Sequence, residues 1–354
     1  MKAVVLVGGE GTRLRPLTET IPKPLVPLMN RPSLDHVLDH LARHGVHEVV
    51  LSSSYLEATF QEFIASRQGD PAIVWITEGA PLGTGGAIVN ALGSLDTDEP
   101  FVALNGDILT DLDLTAMVAF HRERGATATI ALTHVEDARP FGLVPTEPDG
   151  RVLEFREKPA ELVPGDINAG TYVLEPSALA GWSAAEPVSI ERQIFPALVA
   201  SGRPVYGYLT EAYWVDLGTP QKYLQAHADI QDGRVGFEPS YADPFLGEGA
   251  EVDPAAELGP HVVLGPGDRI DADAGVTGSV LHAGAVVESG ARVTGSILGP
   301  RSSVGQRAEV RGSALAEGAV VPAGLVLEGT GVSAWGKAGG SGGLKERASG
   351  SEGA

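Results

Sequence analysis

Apolar runs alternate with amphipathic helical patterns over about the first 230 residues. Lys2–Val7 is an almost continuous apolar run, and similar runs occur at Phe101–Leu104 and Thr127–Leu132. Buried strands of parallel sheets have this composition. The apolar residues of Leu34–Leu41 recur on one helical face. This alternation predicts an α/β fold with an open, mainly parallel, Rossmann-like sheet, whose ligands bind at the carboxyl ends of the strands.

The pattern changes after Gly233, where glycines, valines and small residues replace the helical patterns. Aliphatic residues then recur six positions apart, except for three steps of five, at Val252, Leu258, Leu264, Ile270, Val276, Leu281, Val287, Val293, Leu298, Val304, Val310, Leu315, Val321 and Leu327. The three short steps are seventeen residues apart. This period is typical of a left-handed hexapeptide β-helix with three short faces per coil. We expect the missing residue to shorten the same corner of successive coils.

These patterns divide the chain into four segments. We expect an α/β domain over residues 1–230, a linker over 231–250, the β-helix over 251–330 and a flexible tail over 331–354. The tail is rich in glycine and polar residues, which is typical of flexible segments. The β-helix domain predicts assembly into a homo-oligomer.

The chain carries a net charge of −21, from 25 Lys and Arg against 46 Asp and Glu. Such an acidic surface repels nucleic acids and anionic lipids, so we expect neither a nucleic-acid nor a membrane role. The chain has no cysteine, which excludes disulfides and thiolate metal sites. The apolar run at Ala3–Val7 is too short for a signal-peptide core, and no later run could span a bilayer. We therefore expect a cytoplasmic protein.

The first strand runs into a glycine-rich turn, Gly8-Gly9-Glu10-Gly11-Thr12-Arg13, which is followed by Pro22-Lys23-Pro24-Leu25. The turn matches neither a P-loop nor a complete dinucleotide fingerprint. In an acidic chain a phosphate site must be built from backbone amides and a few cations. Glycine amides can approach phosphate oxygens closely because no Cβ intervenes, and Arg13 and Lys23 can neutralise the charge. The turn therefore predicts a polyphosphate-binding site.

This turn and seven ordered segments downstream resemble the signature of the sugar-1-phosphate nucleotidyltransferases. The downstream segments are Leu82-Gly-Thr-Gly-Gly-Ala, Asn105-Gly-Asp107, Phe141-Gly142, Glu157-Lys158-Pro159, Asn168-Ala-Gly170, Ile190-Glu-Arg-Gln-Ile-Phe-Pro196 and Trp214-Val-Asp216-Leu-Gly-Thr-Pro220. The resemblance spans about residues 1 to 230, and a β-helix is a common C-terminal addition in that family. It implies an enzyme that joins a nucleoside triphosphate to a sugar 1-phosphate and releases pyrophosphate.

The resemblance also implies roles for individual residues. The nucleotide-binding positions are Leu6, Gly8, Gly9, Gly11, Thr12, Arg13, Glu78, Gly83, Thr84 and Gly106. The sugar-phosphate positions are Gly142, Glu157, Lys158, Asn168 and Gly170. The implied ligands of a Mg²⁺ ion are Asp107 and Asp216, and the implied catalytic residues are Arg13, Lys23, Asp107 and Lys158.

These roles suit the chemistry of the implied reaction. The attacking phosphate oxygen is already ionised at neutral pH, so the protein needs no general base and has to align two polyanions. Mg²⁺ prefers few protein oxygens together with phosphate and water. Taken alone, Asp107 also fits a turn residue, Asp216 a helix cap and Lys158 a surface lysine. Glu157 and Glu191 each also fit a solvated partner of nearby arginines, and Glu191 is the weaker functional candidate of the two.

Two groups of histidines suggest other functions, and neither group is persuasive. His36, His40 and His44 are spaced for a metal stripe on a helix, but they lie away from its apolar positions, so we expect a solvated face. An acyltransferase activity of the β-helix would need a catalytic histidine. Its histidines are His261 and His282, without a recognisable acyl-carrier site, so we expect a role in assembly or regulation.

The sequence leaves the substrates and part of the function open. The motifs and the hexapeptide domain look most like the mannose-1-phosphate guanylyltransferase branch, which implies GTP, with dTTP or UTP as alternatives. Mannose 1-phosphate is the first choice of sugar, and glucose, heptose or cyclitol phosphates fit the same framework because pocket shape decides between them. A glucose-1-phosphate thymidylyl- or uridylyltransferase is the alternative enzyme. A non-catalytic, nucleotide-sugar-binding regulatory paralogue is the alternative from another class, although the loop cations and both metal-binding acids are present.

Overall fold

The computed structural model describes residues 1–53, 57–236, 241–329, 331–332, 338–339 and 345–346. The chain divides into two compact units, and each unit is built from two separate segments of the sequence. The first unit comprises Met1–Gly9 and Leu34–Asp216, and the second comprises Glu10–Ser33 and the described residues from Leu217 onward. The glycine-rich turn is thus divided between the units after Gly9.

Strands and helices alternate as far as residue 231. The strands are β1 (Lys2–Leu6), β2 (Pro27–Leu28), β3 (Arg31–Pro32), β4 (Glu48–Ser53), β5 (Ala72–Thr77), β6 (Phe101–Asn105), β7 (Ile108–Thr110), β8 (Ala128–Val135), β9 (Gly142–Leu143), β10 (Arg156–Glu157), β11 (Gly165–Leu174), β12 (Val205–Leu209) and β13 (Trp214–Asp216). The α-helices are α1 (Ser33–Arg43), α2 (Glu57–Ser66), α3 (Gly83–Leu95), α4 (Leu114–Glu123), α5 (Phe195–Ala200) and α6 (Pro220–Gln231). Short 3-10 turns lie at Thr12–Leu14, Leu17–Glu19, Lys23–Leu25 and Pro176–Leu179, and a π-helix lies at Ile190–Ile194.

The large sheet of the first unit is open and mixed. Its strand order is β10-β9-β11-β6-β1-β4-β5, with β8 beside β11 and β12 beside β8. Strand β1 pairs in parallel with β4 and β6, and β4 pairs in parallel with β5, as the apolar runs predict. Strand β11 runs antiparallel to both β6 and β8. The sequence pattern missed β11 because Asp166, Asn168 and Gly170 interrupt its apolar positions.

The core of the first unit joins the sheet to its helices. Val4 of β1, Ile88 of α3, Tyr172 of β11 and Phe195 of α5 belong to one buried cluster. Side chains of this size remove large apolar areas from water and hold the strand ends in fixed positions.

Beyond α6, the second unit is a left-handed β-helix of short parallel strands. Its strands are β14 (Phe245–Leu246), β15 (Glu251–Val252), β16 (Glu257–Leu258), β17 (Val263–Leu264), β18 (Arg269–Ile270), β19 (Gly275–Thr277), β20 (Val280–Leu281), β21 (Val286–Val287), β22 (Arg292–Thr294), β23 (Ile297–Leu298), β24 (Ser303–Val304), β25 (Glu309–Arg311), β26 (Ala314–Leu315), β27 (Val320–Val321), β28 (Leu325–Glu328) and β29 (Gly331–Val332). These strands stack in three parallel sheets, one for each face of the coil. The predicted inward aliphatic residues are buried, apart from Val252 and Leu258 in the first coil, which are half-buried.

The short step of the repeat falls at the same corner of successive coils, between the third face and the first. The glycines at this corner are Gly278, Gly295 and Gly312, with φ between 53° and 56°. A buried serine follows each glycine. The Ser296 amide donates to the Ser279 hydroxyl, and the Ser313 amide donates to the Ser296 hydroxyl, both at 3.1 Å. The predicted shortening of one corner is confirmed, and a serine ladder lines that corner.

The structure bears on the predicted segment boundaries in two places. Strand β14 lies inside the predicted linker and already pairs in parallel with β17. Of the predicted tail, the structure describes β29, β30 (Ala338–Gly339) and β31 (Lys345–Glu346), and the rest of that prediction lies outside the described residues. Among the residues described, no helix is long and apolar enough to cross a membrane.

Candidate functional site

The carboxyl ends of β1 and β6 lie side by side at one edge of the sheet. Leu6 is the Cα partner of Asn105, and the Gly106 amide donates to the Leu6 carbonyl at 2.9 Å. A Cβ on Gly106 would lie 3.0 Å from the Val7 side chain and 3.1 Å from the Leu6 carbonyl. Glycine therefore lets the chain turn closely past β1. This turn brings Leu6 and Gly106 together and carries Asp107 at the strand end, where ligands of such sheets bind.

Asp107 and Asp216, far apart in the chain, lie at neighbouring backbone positions. Strand β13 runs antiparallel to β7, and Asp216 is the Cα partner of Ile108, the residue after Asp107. Two carboxylates suit a divalent cation that takes its other ligands from phosphate and water. Across the part of the chain that the structure describes, no cluster of three or more His, Asp or Glu could hold a metal ion. The neighbouring positions of Asp107 and Asp216 fit an ion that takes its remaining ligands from a phosphate substrate and water.

The start of α3 is held closely against the backbone of Val188. Gly83 has φ +71°, and a Cβ there would lie 2.7 Å from the Val188 carbonyl oxygen. The same carbonyl accepts hydrogen bonds from the amides of Gly85 and Gly86 at 2.8 and 3.0 Å. The glycines of this motif thus allow a close approach between two backbone segments, and these two amides are already satisfied.

Thr84 links the start of α3 to the π-helix. Its hydroxyl donates to the Glu191 carboxylate at 2.7 Å and accepts from the Ile190 amide at 3.0 Å. The Ser189 hydroxyl donates to the same oxygen of Glu191 at 2.7 Å. Two hydroxyl donors therefore fix the orientation of this carboxylate.

Glu78 fixes the turn that precedes α3. Its side chain is buried, and its two carboxylate oxygens accept from the Ser52 hydroxyl at 2.8 Å and from the Leu82 amide at 3.1 Å. A buried carboxylate needs such donors to offset its lost hydration. Glu78 thus holds the loop that leads to Gly83 and Thr84, two nucleotide-binding positions that the resemblance implies.

A cavity of about 410 Å³ opens beside these groups. The lining residues are Thr84, Phe141, Gly142, Glu157, Asn168, Ser189, Glu191 and Arg192. Thr84, a predicted nucleotide-binding residue, thus shares a cavity with three predicted sugar-phosphate residues. The volume falls in the range of roughly 300–1,000 Å³ that is typical of small-molecule sites.

Gly142 and Glu157 face each other in the β9–β10 ladder on one side of the cavity. A Cβ on Gly142 would lie 2.6 Å from the Phe155 ring and 3.1 Å from a Glu157 carboxylate oxygen. The next residue, Lys158, has φ +50°, and its amide donates to the Phe141 carbonyl at 2.9 Å. Its ammonium lies 3.7 Å from the Glu157 carboxylate. Left-handed backbone is uncommon for lysine and clusters at functional sites, which favours a ligand role over a plain surface role.

Asn168 and Gly170 lie at a bulge in the β11–β8 ladder. The backbone amide of Gly170 donates to the side-chain oxygen of Asn168, and the side-chain nitrogen of Asn168 donates to the Tyr172 hydroxyl, both at 2.9 Å. Burial, with a contribution from the Glu191 charge, raises the pKa of Tyr172 well above its usual range, so this phenol stays neutral. Gly170 has φ +72°, and a Cβ there would lie 2.8 Å from the Asn105 side-chain nitrogen. Both residues are therefore held in fixed positions at the end of β6.

Trp214 connects the sugar-side segments to the predicted metal ligands. Its indole nitrogen donates to the Ala169 carbonyl at 2.8 Å, and its ring meets the Phe141 ring edge-on at 5.4 Å. Trp214 and Asp216 belong to the same short strand. The packing that fixes Trp214 therefore also fixes the backbone that carries Asp216.

Four residues of the cavity wall were given no role by sequence analysis: Phe141, Ser189, Glu191 and Arg192. The prediction that Glu191 is a solvated partner of arginines is wrong, because its carboxylate accepts from two hydroxyl groups inside the cavity wall. The Arg192 guanidinium lies 3.8 Å from the Glu157 carboxylate. The available signal was the Ile190–Pro196 motif. Its first five residues form the π-helix Ile190–Ile194, a conformation frequent at functional sites.

The phosphate-loop residues of the second unit form a compact turn. Gly11 has φ +59°, and a Cβ there would lie 3.1 Å from the Lys23 Cβ and 3.0 Å from the Thr18 methyl group. The Thr18 hydroxyl donates to the Gly11 carbonyl at 2.8 Å. Thr12 and Arg13 begin the following 3-10 turn and are exposed. The turn brings the backbone of Gly11 close to Lys23, and the phosphate-binding role of Arg13 and Lys23 stays a prediction.

The solvated histidine face predicted on α1 is wrong for two of its three members. His36 and His40 are each only 5% exposed, whereas His44 is half-buried. Burial, together with the neighbouring His44 and Arg43, lowers the pKa of His40 to about 4. Helix α1 is therefore buried over a wider face than the positions of its apolar residues indicate. His40 is therefore neutral at neutral pH, and His36 and His40 both belong to the packed part of the helix surface.

Comparison with known proteins gives concordant matches over both parts of the chain. Residues 2–233 match the family model described as nucleotidyl transferase, and residues 242–337 match the model described as GMPPB C-terminal domain. The chain is 41% identical over 296 residues to the mannose-1-phosphate guanylyltransferase of Mycobacterium tuberculosis, with 81% of each protein covered. It is 38% identical over 270 residues to the mannose-1-phosphate guanylyltransferase catalytic subunit beta of Danio rerio, with 73% of each covered.

A solved structure with the same fold has been determined with a nucleotide analogue. This is the crystal structure of HddC from Yersinia pseudotuberculosis complexed with GMP-PN, at 30% sequence identity and a TM-score of 0.56. The similarity covers 64% of this chain and 97% of the HddC chain.

Proposed function

The chain belongs to the nucleotidyl transferase family, and on this basis we propose that it transfers a guanylyl group from GTP to mannose 1-phosphate. The products would be GDP-mannose and pyrophosphate. One observation carries the proposal: Thr84, predicted to bind the nucleotide, lines the same cavity as Gly142, Glu157 and Asn168, predicted to bind the sugar phosphate. A nucleotidyltransferase must hold its two substrates side by side, as a shared cavity allows.

In the proposed reaction, a phosphate oxygen of mannose 1-phosphate attacks the α-phosphorus of GTP. A new P–O bond forms, and the bond between the α-phosphorus and the oxygen bridging to the β-phosphorus breaks. The electron pair leaves on pyrophosphate, and no proton has to move because the nucleophile is already ionised. The main task of the protein is to align the reactants and to offset their negative charge.

The chain supplies distinct groups for each substrate. Arg13 would contact two phosphate oxygens of GTP through its planar guanidinium, and Lys23 would add a point charge beside it. Lys158 would bind the phosphate of the sugar. Glu157 and Asn168 would hydrogen-bond to sugar hydroxyl groups in the cavity.

Asp107 and Asp216 would hold a Mg²⁺ ion, since their neighbouring positions supply the few protein oxygens that this ion prefers. When bound, Mg²⁺ offsets the charge of the phosphates and stabilises the charge that develops on pyrophosphate. The two carboxylates would keep this charge at the end of β6.

The choice of substrates is supported by relatives. The similar proteins of Mycobacterium tuberculosis and Danio rerio are mannose-1-phosphate guanylyltransferases, and HddC is complexed with GMP-PN, a guanine nucleotide analogue. Assembly into a homo-oligomer through the β-helix is also proposed, on the basis of the sequence. A cytoplasmic location stays a prediction from the sequence.

The test is pyrophosphate release from a grid of nucleotides and sugar phosphates in the presence of Mg²⁺. GTP, dTTP and UTP would each be paired with mannose, glucose and galactose 1-phosphates. We expect GTP with mannose 1-phosphate to give a kcat/KM at least about 100-fold above any other pair, equivalent to about 3 kcal/mol of discrimination. Removal of divalent cations with EDTA should stop the reaction, and added Mg²⁺ should restore it.

Other outcomes of this test would overturn the proposal. A preference for dTTP or UTP with glucose 1-phosphate would identify a thymidylyl- or uridylyltransferase. Tight binding of GDP-mannose without pyrophosphate release from any pair would indicate a regulatory protein.

A further inference from the structure

We propose that the β-helix positions Lys23 for phosphate binding, through a buried hydrogen-bond network in which Tyr223 and His282 are positioning residues. This inference rests on the phosphate role proposed for Lys23. It assigns a function to His282, which the proposed reaction does not use. All the residues of the network belong to the second unit.

The network starts at a strained hairpin that closely follows Lys23. Strands β2 and β3 are joined by Met29 and Asn30, with φ +49° and φ +63°. Two left-handed residues form the type I′ turn that suits a tight hairpin, but methionine is a costly residue there. Met29 is nevertheless buried in this conformation. Such strain persists only where the surroundings hold the chain firmly.

The hairpin and the Lys23 turn are tied together. The Ser33 hydroxyl donates to the Pro24 carbonyl at 2.8 Å, and the Ser33 amide donates to the Val26 carbonyl at 3.1 Å. Pro24 is the central residue of the 3-10 turn Lys23–Leu25. A displacement of the hairpin would therefore also displace Lys23.

Helix α6 holds the hairpin from one side. The Met29 amide donates to His227 Nε2 at 3.2 Å, and His227 Nδ1 lies 2.9 Å from the Tyr223 carbonyl. Because Nε2 accepts, Nδ1 must carry the proton and donate to that carbonyl. The Tyr223 hydroxyl donates to the Pro27 carbonyl. One helix thus fixes two backbone groups of the hairpin.

The β-helix completes the network. His282 Nε2 lies 3.0 Å from the Tyr223 hydroxyl oxygen. Since that hydroxyl gives its proton to Pro27, Nε2 must carry a proton and donate to it. Burial lowers the pKa of His282 to about 4, so the ring is neutral with its proton on Nε2. A second link comes from Asn30, whose side-chain nitrogen donates to the Leu264 carbonyl at 2.7 Å.

This geometry implies that the β-helix contributes to catalysis as well as to assembly. Tyr223 and His282 are almost completely buried, and neither lines the cavity beside Thr84. Their effect on the reaction would therefore pass through the hairpin to Lys23. If Tyr223 and His282 had a purely structural role, their substitution would lower stability and activity by the same amount whichever residue occupies position 23.

The test is a double-mutant cycle on the full chain, measured as GTP-dependent pyrophosphate release. The single variants are Tyr223→Phe, His282→Leu and Lys23→Met. The double variants combine Lys23→Met with Tyr223→Phe and with His282→Leu. We expect Tyr223→Phe and His282→Leu each to lower kcat/KM for GTP about five- to tenfold, the effect of one lost hydrogen bond. In the Lys23→Met background the same changes should cause no further loss.

Two further variants serve as controls. His282→Gln can keep an N–H donor near the position of Nε2 and should retain activity within about twofold of the unsubstituted chain. His261→Asn changes a partly exposed β-helix histidine whose ring is bonded to Asp232 and not to the hairpin, and should leave the kinetics unchanged. If Tyr223→Phe does not fold, the comparison of His282→Leu with His282→Gln carries the test alone.

The outcomes separate this inference from the proposed function. Equal losses of activity with and without the Lys23→Met substitution, or no loss in either background, would overturn the positioning role. Full activity of Lys23→Met would overturn the phosphate role of Lys23 and, with it, this inference. Nucleotidyl transfer to mannose 1-phosphate is tested separately by the substrate grid.

Discussion

Thr84 donates a 2.7 Å hydrogen bond to Glu191, 107 residues further along the chain. This contact joins the start of α3, where sequence motifs place the nucleotide, to the π-helix on the sugar side of the cavity. The Thr84 hydroxyl also accepts from the Ile190 amide, so it pairs with one acceptor and one donor at the same time. The contact makes the two halves of the cavity wall dependent on each other.

Removing this hydroxyl should weaken substrate binding. Thr84→Val keeps the shape of the side chain, but it leaves the Ile190 amide unpaired and removes one donor from Glu191. We expect the free energy of unfolding to fall by about 1–3 kcal/mol and the KM of both substrates to rise several-fold. Urea unfolding and steady-state kinetics measure these effects. Thr84→Ser keeps the hydroxyl and is the matched control; a loss of equal size in Thr84→Ser would show that the hydrogen bond is not the cause.

Asp107 and Asp216 should act as a single metal site. Asp107→Asn and Asp216→Asn each remove a carboxylate charge with little change of shape, and we expect kcat to fall at least about 100-fold while the far-ultraviolet circular dichroism spectrum stays the same. The double variant should lose little more than either single variant, because both act on one ion. Asp98→Asn, at an exposed position in the same unit, is the control. A variant with near-normal rate would remove that carboxylate from the metal site.

Gly142 should be intolerant of even one methyl group. Gly142→Ala would place a Cβ 2.6 Å from the Phe155 ring, so the ring or the strand must move, and Glu157 would move with it. We expect the KM for the sugar phosphate to rise about tenfold, with a smaller change in the KM for the nucleotide. Gly93→Ala in α3 is the matched control, because its Cβ would meet no atom within 4 Å and alanine favours helix. Equal kinetics for the two alanine variants would contradict the predicted role of Gly142.

Buried His40 should make the protein less stable in acid. Burial, followed by the charges of His44 and Arg43, lowers the pKa of His40 from 6.5 to about 4 in the folded chain. Between these values the unfolded chain binds more protons than the folded chain, so this contribution is complete above pH 6.5 and is lost as the pH falls toward 4. The loss between pH 7 and pH 5 is about 2 kcal/mol for one such group.

Urea unfolding at pH 7 and pH 5 tests this expectation. His40→Gln should show a smaller fall of the free energy of unfolding between the two pH values than the unsubstituted chain. Leu41→Ala, at a buried apolar residue of the same helix, is the control: it should lower the free energy of unfolding at both pH values and keep the original pH dependence. An unchanged pH dependence in His40→Gln would contradict a buried, neutral His40.

Local, repeated patterns were sufficient to predict much of the fold. The inward aliphatic residues of the β-helix were predicted because each coil repeats the same short pattern, from Leu264 through Leu281 and Leu298 to Leu315. Strand β11 was missed because its sequence contains polar and glycine residues. Its place between β6 and β8 depends on pairing with strands far away in the chain, which no local pattern records.

The order of the motifs and the residue types that phosphate chemistry needs could be predicted from the sequence, because these depend on local composition and spacing. Which of those residues come together depends on the folding of distant segments. The β13–β7 register places Asp216 beside Asp107, and the fold aims Thr84 at Glu191. The fold also buries His40, whose polar character suggests a solvated position. Such contacts arise from the packing of whole strands and helices, so the identity of a single residue does not reveal its partner.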